Sequence, residues 1–137
     1  MDTGQVVVRK VFVIYASKDW PFYERLTGHA RTEGLHVEFD HVQVKQPWFA
    51  AWKAHCRARI YECDAAIVLV SRNTIDGGID WELECATEFG FPMLGINVDK
   101  DKKGSVPKEP PDWTVIDWED WPGVASFLQL VKRQSAS

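Results

Sequence analysis

At 137 residues, 45% hydrophobic and 26% charged, the chain has the composition of an ordinary globular protein and the length of one domain spanning residues 1–137. A formal net charge of −4 gives electrostatics no reason to recruit nucleic acid or an anionic membrane. Three cysteines, Cys56, Cys63 and Cys85, with no CxxC pair argue against a disulfide framework or a structural zinc site and for a reducing, cytoplasmic compartment.

The N-terminus, Met1 to Gly4, does not read as a signal peptide, and no apolar stretch approaches the roughly 20 residues of a membrane span. A soluble protein with an ordered core over about residues 10–134 is expected. The run Lys10 to Ala16 is apolar and β-branched, as in a strand buried on both faces. Asp19, with Pro21 in the first turn, starts a helix to about Glu33 that Gly34 stops. His36 to Asp40 alternates as a second strand. Pro47 opens a helix to about Cys63, with Trp48, Trp52, Cys56, Ile60 and Cys63 in one stripe. Ala65 to Val70 is the third and most apolar strand. After a turn at Asp76-Gly77-Gly78, a short helix runs from Ile79 to about Phe89 and ends at Gly90. Pro92 to Val98 is a fourth strand. Residues 99–112, with three prolines, read as an exposed loop. Trp113 to Ile116 is a fifth strand, and a last helix covers about Val124 to Arg133. Residues 1–9 and 134–137 are expected to be loose ends. Strands alternating with helices predict an α/β fold: a doubly wound, flavodoxin-like, five-stranded parallel sheet in the order 2-1-3-4-5.

Ligands in such a sheet bind beyond the carboxyl ends of the strands, where the strand order reverses, here between the first and third strands. Tyr15, Ala16 and Ser17 leave the first strand; Ser71 and Thr74 leave the third. No glycine-rich phosphate loop is present, which disfavours the usual dinucleotide and P-loop modes. The first turn of the helix after the third strand carries Trp81 and Glu82 and is expected to open toward the cleft. Glu84 and Glu88 form an i,i+4 pair on a solvated face, whereas Glu82 shares its side with Cys85, Ala86 and Phe89. Its position alone suits either a catalytic carboxylate or an acid that complements the helix dipole. The seven tryptophans are either extra core or platforms for flat ligands. Trp48 and Trp52 are candidates to wall the cleft, and Phe39 and Asp40 to contact a ribose or order the adjoining loop. The four histidines show no metal spacing, so no metal and no bound cofactor is expected.

The order of Phe39-Asp40, Pro47-Trp48-Phe49, Trp52-Lys53, Arg57 to Ile60, Cys63-Asp64, Ile67 to Ser71, Thr74, Asp80 to Glu84 and Gly90 to Ile96 resembles TIR-like domains of the Thoeris ThsB type. The strong part covers residues 36–97; the first strand fits less well. The resemblance implies an enzyme of bacterial anti-phage defence that cleaves NAD, as substrate, at the nicotinamide–ribose bond. The implied product is a cyclic or conjugated ADP-ribose that reaches a separate effector protein as a diffusible signal. It places the catalytic glutamate at Glu82, ahead of Leu83, and implies self-association. Substrate contacts are expected among Tyr15, Ala16, Ser17, Phe39, Asp40, Trp48, Trp52, Ser71, Thr74 and Trp81. Because nicotinamide leaves as a neutral molecule, one ionised carboxylate is enough and the usual second acid is not needed. Two other readings remain: a non-catalytic TIR interaction module, and an enzyme resembling nucleoside deoxyribosyltransferases.

Overall fold

The computed structural model describes residues 9–101 and 104–136, with side chains of the last helix as far as Leu130. Five strands, β1 (Arg9–Ile14), β2 (Val37–His41), β3 (Ala65–Val70), β4 (Met93–Asn97) and β5 (Thr114–Asp117), form one parallel sheet in the order β2-β1-β3-β4-β5. The α-helices are α1 (Trp20–Thr32), α2 (Ala50–Tyr61), α3 (Asp80–Glu88) and α4 (Trp121–Ala136).

Alternation along the strands divides the core into two layers. Val11, Val13, Ile67, Leu69, Leu94 and Ile96 pack with Leu26 of α1 and with Val124 and Leu128 of α4. Phe12, Ile14, Ala66, Val68 and Val70 pack on the other face with Cys56 and Ile60 of α2 and Leu83, Cys85 and Ala86 of α3. All six residues of β3 are buried, because this central strand meets helices on both faces. The three cysteines are buried and unpaired; burial pushes the thiols of Cys56 and Cys63 up to about 12, so they serve as small apolar packing groups. Among the described residues, no helix is long and apolar enough to cross a membrane.

The glycine stops operate as expected. Gly34 and Gly90 both have φ of 71°, and the residues after them return hydrogen bonds to the helix, Leu35 N–H to Ala30 O at 3.1 Å and Phe91 N–H to Ala86 O at 3.3 Å. The helix starts differ from expectation at two places. α2 begins at Ala50 rather than Pro47, because Phe49 is extended (φ −99°, ψ 125°) and residues 47–49 form a turn. α4 begins at Trp121 rather than Val124; Pro122 fits its first turn, and Asp120 Oδ1 accepts the Gly123 N–H at 3.0 Å. Of the expected loose ends, Arg9 belongs to β1 and 134–136 to α4; residues 1–8 and 137 lie outside the described residues.

Gly95 allows β4 and β5 to be covered by Trp113. A Cβ at Gly95 would stand 2.6 Å from Trp113 Cζ3 and 3.0 Å from Val115 Cγ2. Gly95→Ala is therefore expected to destabilise the fold by about 1–3 kcal/mol, the usual cost of overpacking, which urea denaturation would measure.

Candidate active site

The exits of β1 and β3 and the β2–α2 connection converge on a hollow of about 470 Å³ at the carboxyl end of the sheet. Ala16, Ser17 and Lys18 form one wall, Lys45, Pro47 and Trp48 a second, and Arg72, Asn73 and the turn Asp76-Gly77-Gly78 a third. The third wall closes tightly on the first because Gly77 has no side chain: a Cβ there would lie 2.5 Å from Ala16 Cβ and 2.7 Å from Asn73 O. Gly78 takes φ 72°, a conformation that favours glycine. Arg72 lines the hollow, yet its guanidinium is engaged by Asp99 at 3.3 Å and Asp101 at 2.6 Å, which ties the β3 exit to the β4 exit.

Glu82, in the first turn of α3, has zero exposure. Its neighbours Glu84 and Glu88 on the same helix are exposed, and Glu88 is held by Arg57 at 2.8 and 3.1 Å. The helical phase read from the sequence is thus the observed one. The expected opening toward the cleft is not observed. Lys45 fills that path: its Nζ stands 3.1 Å from Glu82 Oε1 and 3.0 Å from Oε2, donates to Val42 O, and lies 5.1 Å from the centre of the Tyr15 ring. Only 6% of the Lys45 side chain is exposed. The carboxylate is therefore shut off from solvent and paired with a residue that lines the hollow. Oε2 has no directed hydrogen bond of its own.

Burial raises the Glu82 pKa from 4.5 to about 7, against the pull of the Lys45 charge, which lowers it. The group thus changes charge in the physiological range. A carboxyl so perturbed, with one specific counter-charge beside a hollow, marks a candidate for chemistry. The N-terminal turn of α3 adds a partial positive charge that favours the ionised form.

The other residues singled out in the sequence divide into three groups. Ala16, Ser17 and Trp48 line the hollow, and Ser17 Oγ donates to Gln43 O at 2.6 Å, fastening the β2–α2 connection to the β1 exit. Tyr15, Ser71 and Thr74 are buried just behind it. Tyr15 OH pairs with His41 Nδ1 at 2.7 Å, and burial raises the phenol pKa. Thr74 Oγ1 donates to Ser71 O at 2.7 Å, a loop brace. Phe39, Asp40, Trp52 and Trp81 lie away from the hollow. Phe39 faces a separate groove between α1 and β2 with Trp20 and Tyr23. Asp40 is ion-paired with Arg59 of α2. Trp52 Nε1 donates to Val44 O at 3.0 Å, and Trp81 Nε1 to Lys53 O at 3.0 Å, so both indoles brace backbone.

Three residues of the site escaped sequence reading. Lys45 lies in a connection without periodicity, and nothing local shows that its side chain reaches α3, 37 residues on. Asp19 reads as a helix cap, yet it is 2% exposed and hydrogen-bonded to Ser71 and Asn73. Asn73 is a loop residue whose only signal is its place just after β3.

No family model and no curated protein matches the chain. Among solved structures it is similar to a 3-dehydroquinate dehydratase-like protein from Bifidobacterium longum, at 15% identity and a TM-score of 0.47, over 93% of this chain and 98% of that one. It is also similar to the TIR domains of the activated Roq1 resistosome directly recognizing the pathogen effector XopQ, at 17% identity and a TM-score of 0.44, over 93% of this chain and 83% of that one.

Proposed function

We propose that the chain is a TIR-like enzyme that cleaves NAD at the nicotinamide–ribose bond, with Glu82 as the catalytic carboxylate. The observation that carries this reading is the zero exposure of Glu82, paired with Lys45, which lines the hollow. In this reading the C1′–N bond breaks, nicotinamide departs as a neutral molecule with the bonding electrons, and positive charge develops on the ribose. An ionised carboxylate held in a dry site stabilises that charge far better than one in water. Water, or a nucleophile on the same substrate, then attacks C1′ and loses a proton, giving ADP-ribose or a cyclic product. No second carboxylic acid is required, because the leaving group is neutral without protonation.

For Glu82 to reach a ribose, the Lys45 ammonium must leave it and swing into the hollow that it already lines. There it would stand beside the phosphates of a dinucleotide, while Trp48, 71% exposed at the rim, offers a face for a base. The proposed setting is anti-phage defence, with a cyclic or conjugated ADP-ribose acting on a separate effector.

A second reading, a protein-interaction module, is favoured by one feature: Val44, Trp48 and Phe49 leave 65%, 71% and 53% of their surface exposed on one short connection. Such a patch suits self-association with or without catalysis. Incubation with NAD, following nicotinamide release, separates the readings. Release that Glu82→Gln abolishes supports the enzyme. No release at any protein concentration, with concentration-dependent assembly, supports the module. Transfer of the sugar of a free nucleoside from its base to another base, without NAD turnover, supports the deoxyribosyltransferase-like alternative.

A further inference from the structure

Two helices of this chain open on the same tripeptide, Asp19-Trp20-Pro21 at α1 and Asp120-Trp121-Pro122 at α4. Asp120 behaves as an aspartate at a helix start does, accepting the Gly123 N–H. Asp19, the last residue of a 3₁₀ turn (Ser17–Asp19) that runs directly into α1, makes no such cap bond. Its carboxylate leaves the helix and crosses to the exit of β3. There Oδ2 accepts Ser71 Oγ–H at 2.5 Å, and Oδ1 accepts Asn73 Nδ2–H at 2.9 Å. Ser71 Oγ in turn accepts the Asn73 backbone N–H at 2.9 Å. Both side-chain donors are neutral, and Asp19 is 2% exposed. Burying a carboxylate without a cation is costly, and a solvent-facing cap would have avoided that cost. Starting α1 therefore does not account for where this side chain goes.

The consequence falls on Asn73. Asp19 and Ser71 are buried, whereas Asn73 lines the hollow. Asp19 Oδ1 takes its hydrogen bond from the nitrogen of the Asn73 side chain. The Asn73 amide must therefore turn its nitrogen toward Asp19, which leaves its carbonyl oxygen for the hollow. We propose that Asp19 is a positioning residue of the Glu82 site: it locks the flip of the Asn73 carboxamide, so that the rim of the hollow presents an acceptor to a hydroxyl or amide N–H of the substrate. The proposal rests on the NAD-cleaving reading for its substrate, but the locked amide is a property of the protein alone. Asparagine at position 19 can donate as well as accept, so Asp19→Asn releases the lock while keeping the shape.

The experiment has two arms on the full chain. In ¹⁵N NMR without ligand, the Asn73 side-chain amide gives one well-dispersed pair of resonances in wild type, which broadens or collapses toward the free-amide position in Asp19→Asn. In steady-state nicotinamide release, Asp19→Asn raises KM for NAD about tenfold, the worth of one hydrogen bond, with kcat within about twofold. That split follows because Asp19 contacts neither Glu82 nor Lys45, and a merely loosened fold would not produce it. In an Asn73→Ala background the same substitution changes KM by less than about twofold, because the partner it acts through is gone. Unshifted Asn73 resonances in Asp19→Asn overturn the proposal. So does a loss confined to kcat, or a KM effect that persists in Asn73→Ala. If Asp19→Asn fails to fold, Asn73→Asp probes the same contact: two acceptors then face each other, and KM must rise as in Asn73→Ala. A wild type inert toward NAD sinks the enzymatic reading, and the NMR arm still decides whether Asp19 locks Asn73.

Discussion

Lys45→Met is expected to lower the unfolding free energy by about 1.4 kcal/mol more at pH 8 than at pH 5.5, the worth of one pH unit of Glu82 ionisation above a pKa of about 7. Glu82 and Lys45 are 0% and 6% exposed, so neither charge has water to fall back on. The pH dependence follows from the sign of the Glu82 shift. Its folded pKa is raised, from 4.5 to about 7, so between those values the folded state keeps a proton that the unfolded state loses. The stabilising contribution is complete below pH 4.5 and declines as pH rises through 7. Removing Lys45 removes the charge that pulls this pKa down, so the folded-state value climbs further and the loss deepens at alkaline pH. At pH 5.5 the carboxyl is protonated in either protein, and a buried ammonium has lost its counter-ion, so little separates them. Urea denaturation at the two pH values measures the difference. Lys45→Met combined with Glu82→Gln should recover most of the loss at pH 8; an equal loss at both pH values in the single variant would show that the ion pair is not its source.

Glu82→Gln is expected to cut nicotinamide release by about 10³-fold, at the upper end for losing one preorganised electrostatic group. Glutamine has the same shape, and its amide oxygen still accepts from the Lys45 ammonium, so the fold should persist with an unchanged far-ultraviolet circular dichroism spectrum. Glu84→Gln is the matched control. It alters an exposed carboxylate on the same helix, two residues away, and should leave both rate and stability within error. A rate lost equally in both variants would point to the charge of α3 as a whole rather than to the buried group.

The fold was legible because its signals are local and repeat. Val11 to Ile14 and Ala65 to Val70 are apolar on both faces, as inner strands of a parallel sheet covered by helices need to be. Gly34 and Gly90 end their helices in the left-handed conformation that their positions announce. Within the site, helical phase was enough to separate buried Glu82 from solvated Glu84 and Glu88. What stayed hidden depends on long side chains crossing between connections. Lys45 looks like any polar loop residue until its four-carbon stem is traced to α3. Asp19 and Asp120 precede the same two residues, yet one caps its helix and the other does not. Asp19 closes a 3₁₀ turn and its carboxylate goes to Ser71 and Asn73, about fifty positions further on, and no window of sequence contains both ends of that contact.

Nicotinamide release from NAD, measured as kcat/KM between pH 5.5 and 8.5, tests the assignment most directly. The expected profile falls about tenfold per pH unit below an apparent pKa near 7 and levels off above it, because the reactive form carries an ionised Glu82. Turnover that ignores pH across this range, or that survives intact in Glu82→Gln, would remove this carboxylate from the chemistry.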